Sequence, residues 1–155
     1  MRKPGYGAYI RKLAGAADME IADLAGLKAA VAKRLDYFCS LGCRFTDVGI
    51  EEFPKCIGTE EEAAAAFEAA LKGEAVSDEA YHRFLGWSYV WLAGEYKSRG
   101  LTMQWHIAAK RNASTKLFKA IGPDCGGDCA GDCISIHDVC AILDRCEQED
   151  RLPRT

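Results

Sequence analysis

The chain has 155 residues and a mass of 16.9 kDa, one domain's worth of length. At 49% hydrophobic and 28% charged residues it can bury a core, which excludes disorder by composition. A net charge of -3 and a pI near 5.6 argue against a broad basic surface for nucleic acid or acidic lipid. No run of ~18 apolar residues is present, so no spanning helix and no membrane role are expected. The opening MRKPGYGAYI lacks the apolar stretch of a secretory signal. The eight cysteines, roughly 5% of the chain, fall below the ~8–10% of a disulfide scaffold. They are expected as reduced thiols in a cytoplasmic protein.

Helix signals dominate in chain order. Asp23 is placed to cap a helix whose stripe is Leu24, Leu27, Val31, Leu35 and Phe38, ended by Gly42. Thr59 and Glu62 form a capping box ahead of an alanine-rich helix that runs to Gly73. Ser77 opens a third helix, with Asp78 and Glu79 in its first turn. Its apolar face is Tyr81, Phe84, Leu85, Trp91 and Leu92, with Lys97 and Arg99 near its negative end and Gly100 as its stop. The aromatic stripe reads as packing. A short helix is expected over 114–121, and a last one from Ser135, boxed with Asp138, to about Glu147.

Two segments, 43–48 and 101–107, read as strands, each after a glycine-ended helix. That order predicts a predominantly helical α/β single domain over residues 1–155, with two parallel-type strands and flanking helices. In the second strand Leu101, Met103, Trp105 and Ile107 share one face, while Thr102, Gln104 and His106 share the other. Two parallel strands normally belong to a larger, covered sheet. The expectation is therefore a piece of something larger that self-associates through open sheet edges, as a homo-oligomer.

Three clusters could carry chemistry. His106 falls at the end of the second predicted strand, with Arg111 five residues on. Such strand ends position functional groups in barrel enzymes. His moves protons near neutral pH, and Arg grips carboxylates through two hydrogen bonds. The plain alternative is a strand histidine bonded to backbone and a solvated arginine. Asp47 is expected at the end of the first strand, either in the site or forming a turn. In PDCGGDCAGDC, Asp124, Asp128 and Asp132 each precede a cysteine: Cys125, Cys129 and Cys133. With His137 and Cys140 these could form a zinc or iron–sulfur module. The Cys-x3-Cys-x3-Cys spacing matches neither zinc ribbons nor common ferredoxins, which leaves a glycine-rich loop with aspartate caps as the alternative.

GLTMQWHIAAKRNASTKLFKAIGPDCGGDCAGD, residues 100–132, resembles the signature stretch of the uronate (glucuronate) isomerase family. His106, Arg111, Asn112, Gly122, Pro123, Asp124, Gly126, Asp128, Gly131 and Asp132 stand at the matching places. LDYFCSLGCRFTDVGIEE is similar to an upstream stretch of the family, with Asp47 as its Asp, and KPGYGAYIRKLA is similar to the text before that helix. The family's Asp-His-Gly reads Asp47-Val48-Gly49 here. The aspartates of the loop match and its cysteines do not, which argues against a thiolate metal site.

The resemblance implies a (β/α)8 barrel of the amidohydrolase superfamily, of which this chain is similar to the middle part. It implies aldose–ketose isomerisation of D-glucuronate to D-fructuronate, with a small-molecule uronate as the partner and no activity for the chain alone. By the same resemblance His106 and Asp47 are catalytic. Arg111, Asn112, Asp124 and Asp128 bind substrate. No metal ligand and no cofactor are expected in this chain. The zinc of the parent family would be held by residues absent here, since the sequence has only His82, His106 and His137 and no His-x-His.

Overall fold

The structure is a computed structural model that describes residues 1–2, 5–50, 52–131 and 134–155. Most of the chain is helical. Helix α1 (Tyr6–Ala17) is followed by α2 (Leu24–Ser40), strand β1 (Phe45–Ile50), α3 (Glu60–Leu71), α4 (Asp78–Ser98) and β2 (Thr102–Ile107). The short strand β3 (Ala109–Lys110), α5 (Thr115–Ile121), short strand β4 (Cys129–Ala130) and α6 (Ile136–Gln148) complete the order.

The helix starts follow from their caps. The Asp23 carboxylate accepts from the Gly26 N–H at 2.7 Å and opens α2. At α3 the Thr59 hydroxyl accepts from the Glu62 N–H at 3.3 Å, while the Glu62 carboxylate accepts from the Thr59 N–H at 2.8 Å. The Ser77, Ser114 and Ser135 hydroxyls accept from the third following N–H and open α4, α5 and α6; at Ser135 this single bond stands in place of the expected reciprocal box with Asp138. Helix α1 lies outside the predicted elements because Gly5 at its start offers no side-chain cap. Its signal was the Tyr6, Ile10, Leu13, Ala14, Ala17 spacing, a helical stripe interrupted by glycines. Ile10 and Ala17 are buried.

The first strand lies two residues later than the sequence pattern predicts. The Cys43 N–H donates to the Phe38 carbonyl at 3.1 Å, so Cys43 still closes the end of α2, where Gly42 takes φ +90°. Gly49 and Ile50, expected in the loop, are paired strand residues. Asp47 therefore sits within β1 and not at its end.

β1 and β2 pair in parallel, with Asp47 opposite Gln104 and Gly49 opposite His106. The α3–α4 pair makes the crossover between them, as a parallel connection requires. Alternation then divides the sheet. Thr46, Val48 and Ile50 with Met103, Trp105 and Ile107 face the helices. Phe45, Asp47 and Gly49 with Thr102, Gln104 and His106 form the other face, where Phe45 is 65% exposed. Beyond β2, the Met103 N–H donates to the Arg154 carbonyl at 2.8 Å, so the C-terminal residues lie along that edge.

Helix α4 is the centre of the molecule and separates two apolar clusters. One side holds Tyr89, Val90, Ala93 and Tyr96 against Ile50, Phe53, Met103, Ile142 and Cys146. The other holds Trp87 and Trp91 against Ile10, Leu24, Ala63 and Phe67. The two tryptophans stack with centroids 5.8 Å apart, which makes the aromatic stripe a packing feature. A helix flanked on two sides must be apolar around most of its girth, and α4 is broader in its burial than the single predicted face. Gly86 lets α4 touch the 56–57 backbone. A Cβ there would collide with the Cys56 carbonyl oxygen.

Candidate functional site

The candidate residues of the strand pair meet on its polar face, Asp47 mid-strand in β1 and His106 near the C-terminal end of β2. His106 Nδ1 lies 2.8 Å from Asp47 Oδ1, a diagonal contact across the polar face of the sheet. Both side chains are more than half exposed, at 54% and 58%. Gln104 Nε2 lies 3.3 Å from His106 Nε2, so the ring is held between Asp47 at one nitrogen and Gln104 at the other. Gln104 shares this face through strand alternation, a signal present in the sequence although only His106 was singled out.

After β2 the chain bends twice through left-handed conformations, at Ala108 (φ +58°) and Asn112 (φ +54°). Between them β3 pairs antiparallel with β4, so the 124–131 loop is stitched to the strand end. Asp128 completes the stitch. One oxygen accepts from Arg111 Nη1 at 2.7 Å and the other from the Asn112 N–H at 2.8 Å. These donors, the Asn112 N–H foremost, hold the Asp128 carboxyl below the ordinary carboxylate range.

The arginine so held lies back over the sheet. A Cβ on Gly49 would approach Arg111 Nη2 to 3.2 Å, and Gly49 is the register partner of His106. The structure therefore gathers Asp47, His106 and Arg111 at one end of one sheet, with Asp128 and Asn112 behind the arginine. Asp128 is engaged in holding Arg111. The Asn112 side-chain oxygen is buried without a hydrogen-bond partner among the described residues. Asp124 stands apart, exposed in its loop at φ +59°. Asp132 and Cys133 lie outside the described residues.

A cleft of about 620 Å³ adjoins this group through Arg111 alone, between the segments that leave β1 and β2 and the start of α6; Asp47 and His106 are not among its lining residues. Lys55, Lys110 and Arg111 line it beside Glu52 and Asp138. Its size suits a small molecule, and the three cations suit an anionic one. Of the cysteine-rich stretch, Cys125 is half-buried and Cys129 and Cys140 are exposed as free thiols. Among the described residues they form no ligand group with His137.

The sequence profile of glucuronate isomerase matches residues 1–155, the whole chain. The chain belongs to the glucuronate isomerase family. It is 34% identical over 155 residues to a uronate isomerase of Geobacillus thermodenitrificans, and 36% identical over 152 residues to one of Salmonella paratyphi B. Those matches cover 100% and 97% of this chain but 33% and 32% of the relatives, so the chain spans about a third of their length. The crystal structure of uronate isomerase from Thermotoga maritima superposes with a TM-score of 0.82 at 26% identity. It covers 97% of this chain and 33% of that one. A glucuronate isomerase from Caulobacter crescentus has the same fold over 92% of this chain, with a TM-score of 0.72 at 20% identity. Within the family frame, the resemblance first carried by residues 100–132 extends through α1 and the helical scaffold. No helix of the described residues is long and apolar enough to cross a membrane.

Proposed function

We propose that this chain contributes one sector of a uronate isomerase active site and is incomplete alone. The observation that carries the reading is the convergence of Asp47, His106 and Arg111 at the C-terminal end of a parallel strand pair, in a chain of this family. The pair with its two crossover helices reads as neighbouring strands of a (β/α)8 barrel of the amidohydrolase superfamily, taken from the middle of that barrel. Functional groups gather at that end of such barrels.

The reaction is aldose–ketose isomerisation of D-glucuronate to D-fructuronate. A proton leaves C2, an enediol forms, and a proton returns at C1 as the carbonyl moves to C2. Arg111, pinned by Asp128, binds the sugar carboxylate, with Lys55 and Lys110 adding positive potential around the cleft. His106 hydrogen-bonds a substrate hydroxyl through Nε2 or passes a proton there, and Asp47 holds its ring. Asn112 shapes the turn that aims Arg111, and Asp124 faces solvent where substrate or another segment can reach it. The principal base is assigned to no residue of this chain. The family's zinc would require His-x-His ligands that this sequence lacks, so no step above passes through it.

We infer that the chain self-associates, because β1 presents an unpaired edge among the described residues with Phe45 exposed on it. Light scattering at high concentration should give a dimer or larger, and a monomer refutes it.

Amide NMR shifts on titration with D-glucuronate test the site. Perturbations at Asp47, His106 and Arg111 that D-glucose does not reproduce, and that Arg111→Met abolishes, are the expected result. Equal response to both sugars overturns the carboxylate role. Ketose formation by the chain alone, lost in His106→Asn, would overturn the incomplete-site reading.

A further inference from the structure

A second cluster lies at the edge of the cleft, where the segment after β1 meets the first turn of α4. His82 is 2% exposed, and both ring nitrogens lack a hydrogen-bond partner among the described residues. A buried, unpartnered imidazole carries a desolvation penalty that proteins rarely leave unanswered. Its Nε2 points at two carboxylate oxygens, Glu52 Oε1 at 3.3 Å and Asp78 Oδ2 at 3.6 Å. The three atoms lie within 4.8 Å of one another.

We infer that Glu52, Asp78 and His82 form a binding site for one first-row divalent metal ion, of the zinc, cobalt or manganese kind. The spacing supports it. Bonds of ~2.0–2.1 Å in a tetrahedral shell set ligand atoms roughly 3.3–3.5 Å apart, close to the two separations seen here. The ligand chemistry supports it too, since one imidazole and two carboxylates suit a borderline divalent ion. The arrangement is also preset. Arg2 Nη1 donates to Asp78 Oδ1 at 2.5 Å and Arg2 Nη2 to Glu52 Oε2 at 2.9 Å. Arg2 therefore takes the outer oxygen of each carboxylate and leaves the inner ones turned to His82. Its guanidinium rests 3.9 Å from the Tyr81 ring centroid, which fixes it from behind. Two carboxylates thus converge on the imidazole, each already ion-paired to Arg2 through its other oxygen. Lys55, 3.9 Å from the inner Asp78 oxygen on an exposed side chain, is free to yield to an ion.

This site shares no residue with the Asp47–His106–Arg111 group and stands whether or not that group binds a uronate. Its test is Co²⁺ titration of the full chain after alkylation of its accessible cysteines, followed by visible absorption and calorimetry. One equivalent should saturate, without sulfur charge-transfer bands. Glu52→Gln and His82→Gln should each weaken binding about tenfold or more. Glu52 is exposed, so its variant reads the site even if the buried His82 variant fails to fold, and Asp78→Asn adds a second exposed ligand change. Absence of saturable binding overturns the proposal. So does binding that keeps its affinity in Glu52→Gln and Asp78→Asn. Unchanged affinity in a folded His82→Gln overturns the imidazole's part.

Discussion

The two faces of the β1–β2 sheet are built on one backbone register and have opposite fates. On one face Ile50 and Met103 are fully buried against α4 and α6. On the other, Asp47 and His106 pair in the open beside an exposed Phe45. The closed face is satisfied by helices of this chain. The open face combines a hydrogen-bonded polar pair with an exposed aromatic side chain. The contrast teaches that one backbone register can build a helix-covered core face and an uncovered polar face at once. Adjacent residues sharpen this. Met103→Ala should lower unfolding free energy by about 2–5 kcal/mol, and Gln104→Ala should stay within about 0.5 kcal/mol of the parent, both by urea denaturation. Comparable losses would mean that the open face holds the fold as much as the closed one does.

Two glycines extend the comparison to backbone approach. Gly86 brings α4 onto the Cys56–Ile57 backbone, which cannot withdraw. Gly49 lies under the far end of a flexible arginine. Gly86→Ala should therefore destabilise by about 1–3 kcal/mol. Gly49→Ala should leave stability within about 0.5 kcal/mol while displacing Arg111. In the D-glucuronate titration it should weaken the shifts at Arg111 more than those at Asp47. If Gly49→Ala unfolds the chain, the open end is scaffold and not site.

The scaffold was legible in the sequence wherever a local rule acted alone. Thr59 with Glu62, Ser77, Ser114 and Ser135 each begin a helix where a hydroxyl meets the third following N–H. Helix α1 escaped because the residue that precedes it, Gly5, has no side chain to cap it and its turns are held by contact with α2 and α3. The start of β1 was misplaced because Cys43 looks like a strand residue while its N–H closes the preceding helix. At the site, strand periodicity placed Gln104 and His106 on one face, but the Asp47 contact depends on the parallel register, which no local pattern specifies. Residue types in the 108–131 segment announced polar chemistry. That Asp128 would hold Arg111 over Gly49 follows from two left-handed turns, at Ala108 and Asn112, neither of them glycine. In the Glu52–Asp78–His82 cluster, Asp78 and His82 stand one helical turn apart in α4, a spacing present in the sequence, but Glu52 comes from the segment after β1 and no local pattern brings it there.

The smallest effect concerns the latch on the open side. Asp128 has its carboxyl lowered from an ordinary value of 3.8 by the Asn112 N–H and then by Arg111. A carboxylate with a lowered native value binds fewer protons when folded than when unfolded. Its contribution is therefore complete above 3.8 and lost as pH falls through the lower native value. The scaffold has no share in that titration, so the change should be local. The Asn112 amide resonance should move with a midpoint below 3.8, while amides around Phe67, in the apolar cluster on the far side of α4, hold still over the same range. Asp128→Asn should remove the transition and speed amide exchange in the β3–β4 pair without shifting the global urea midpoint. A midpoint above 3.8, or a simultaneous loss of the Phe67 signals, would show that the latch and the scaffold are one cooperative unit.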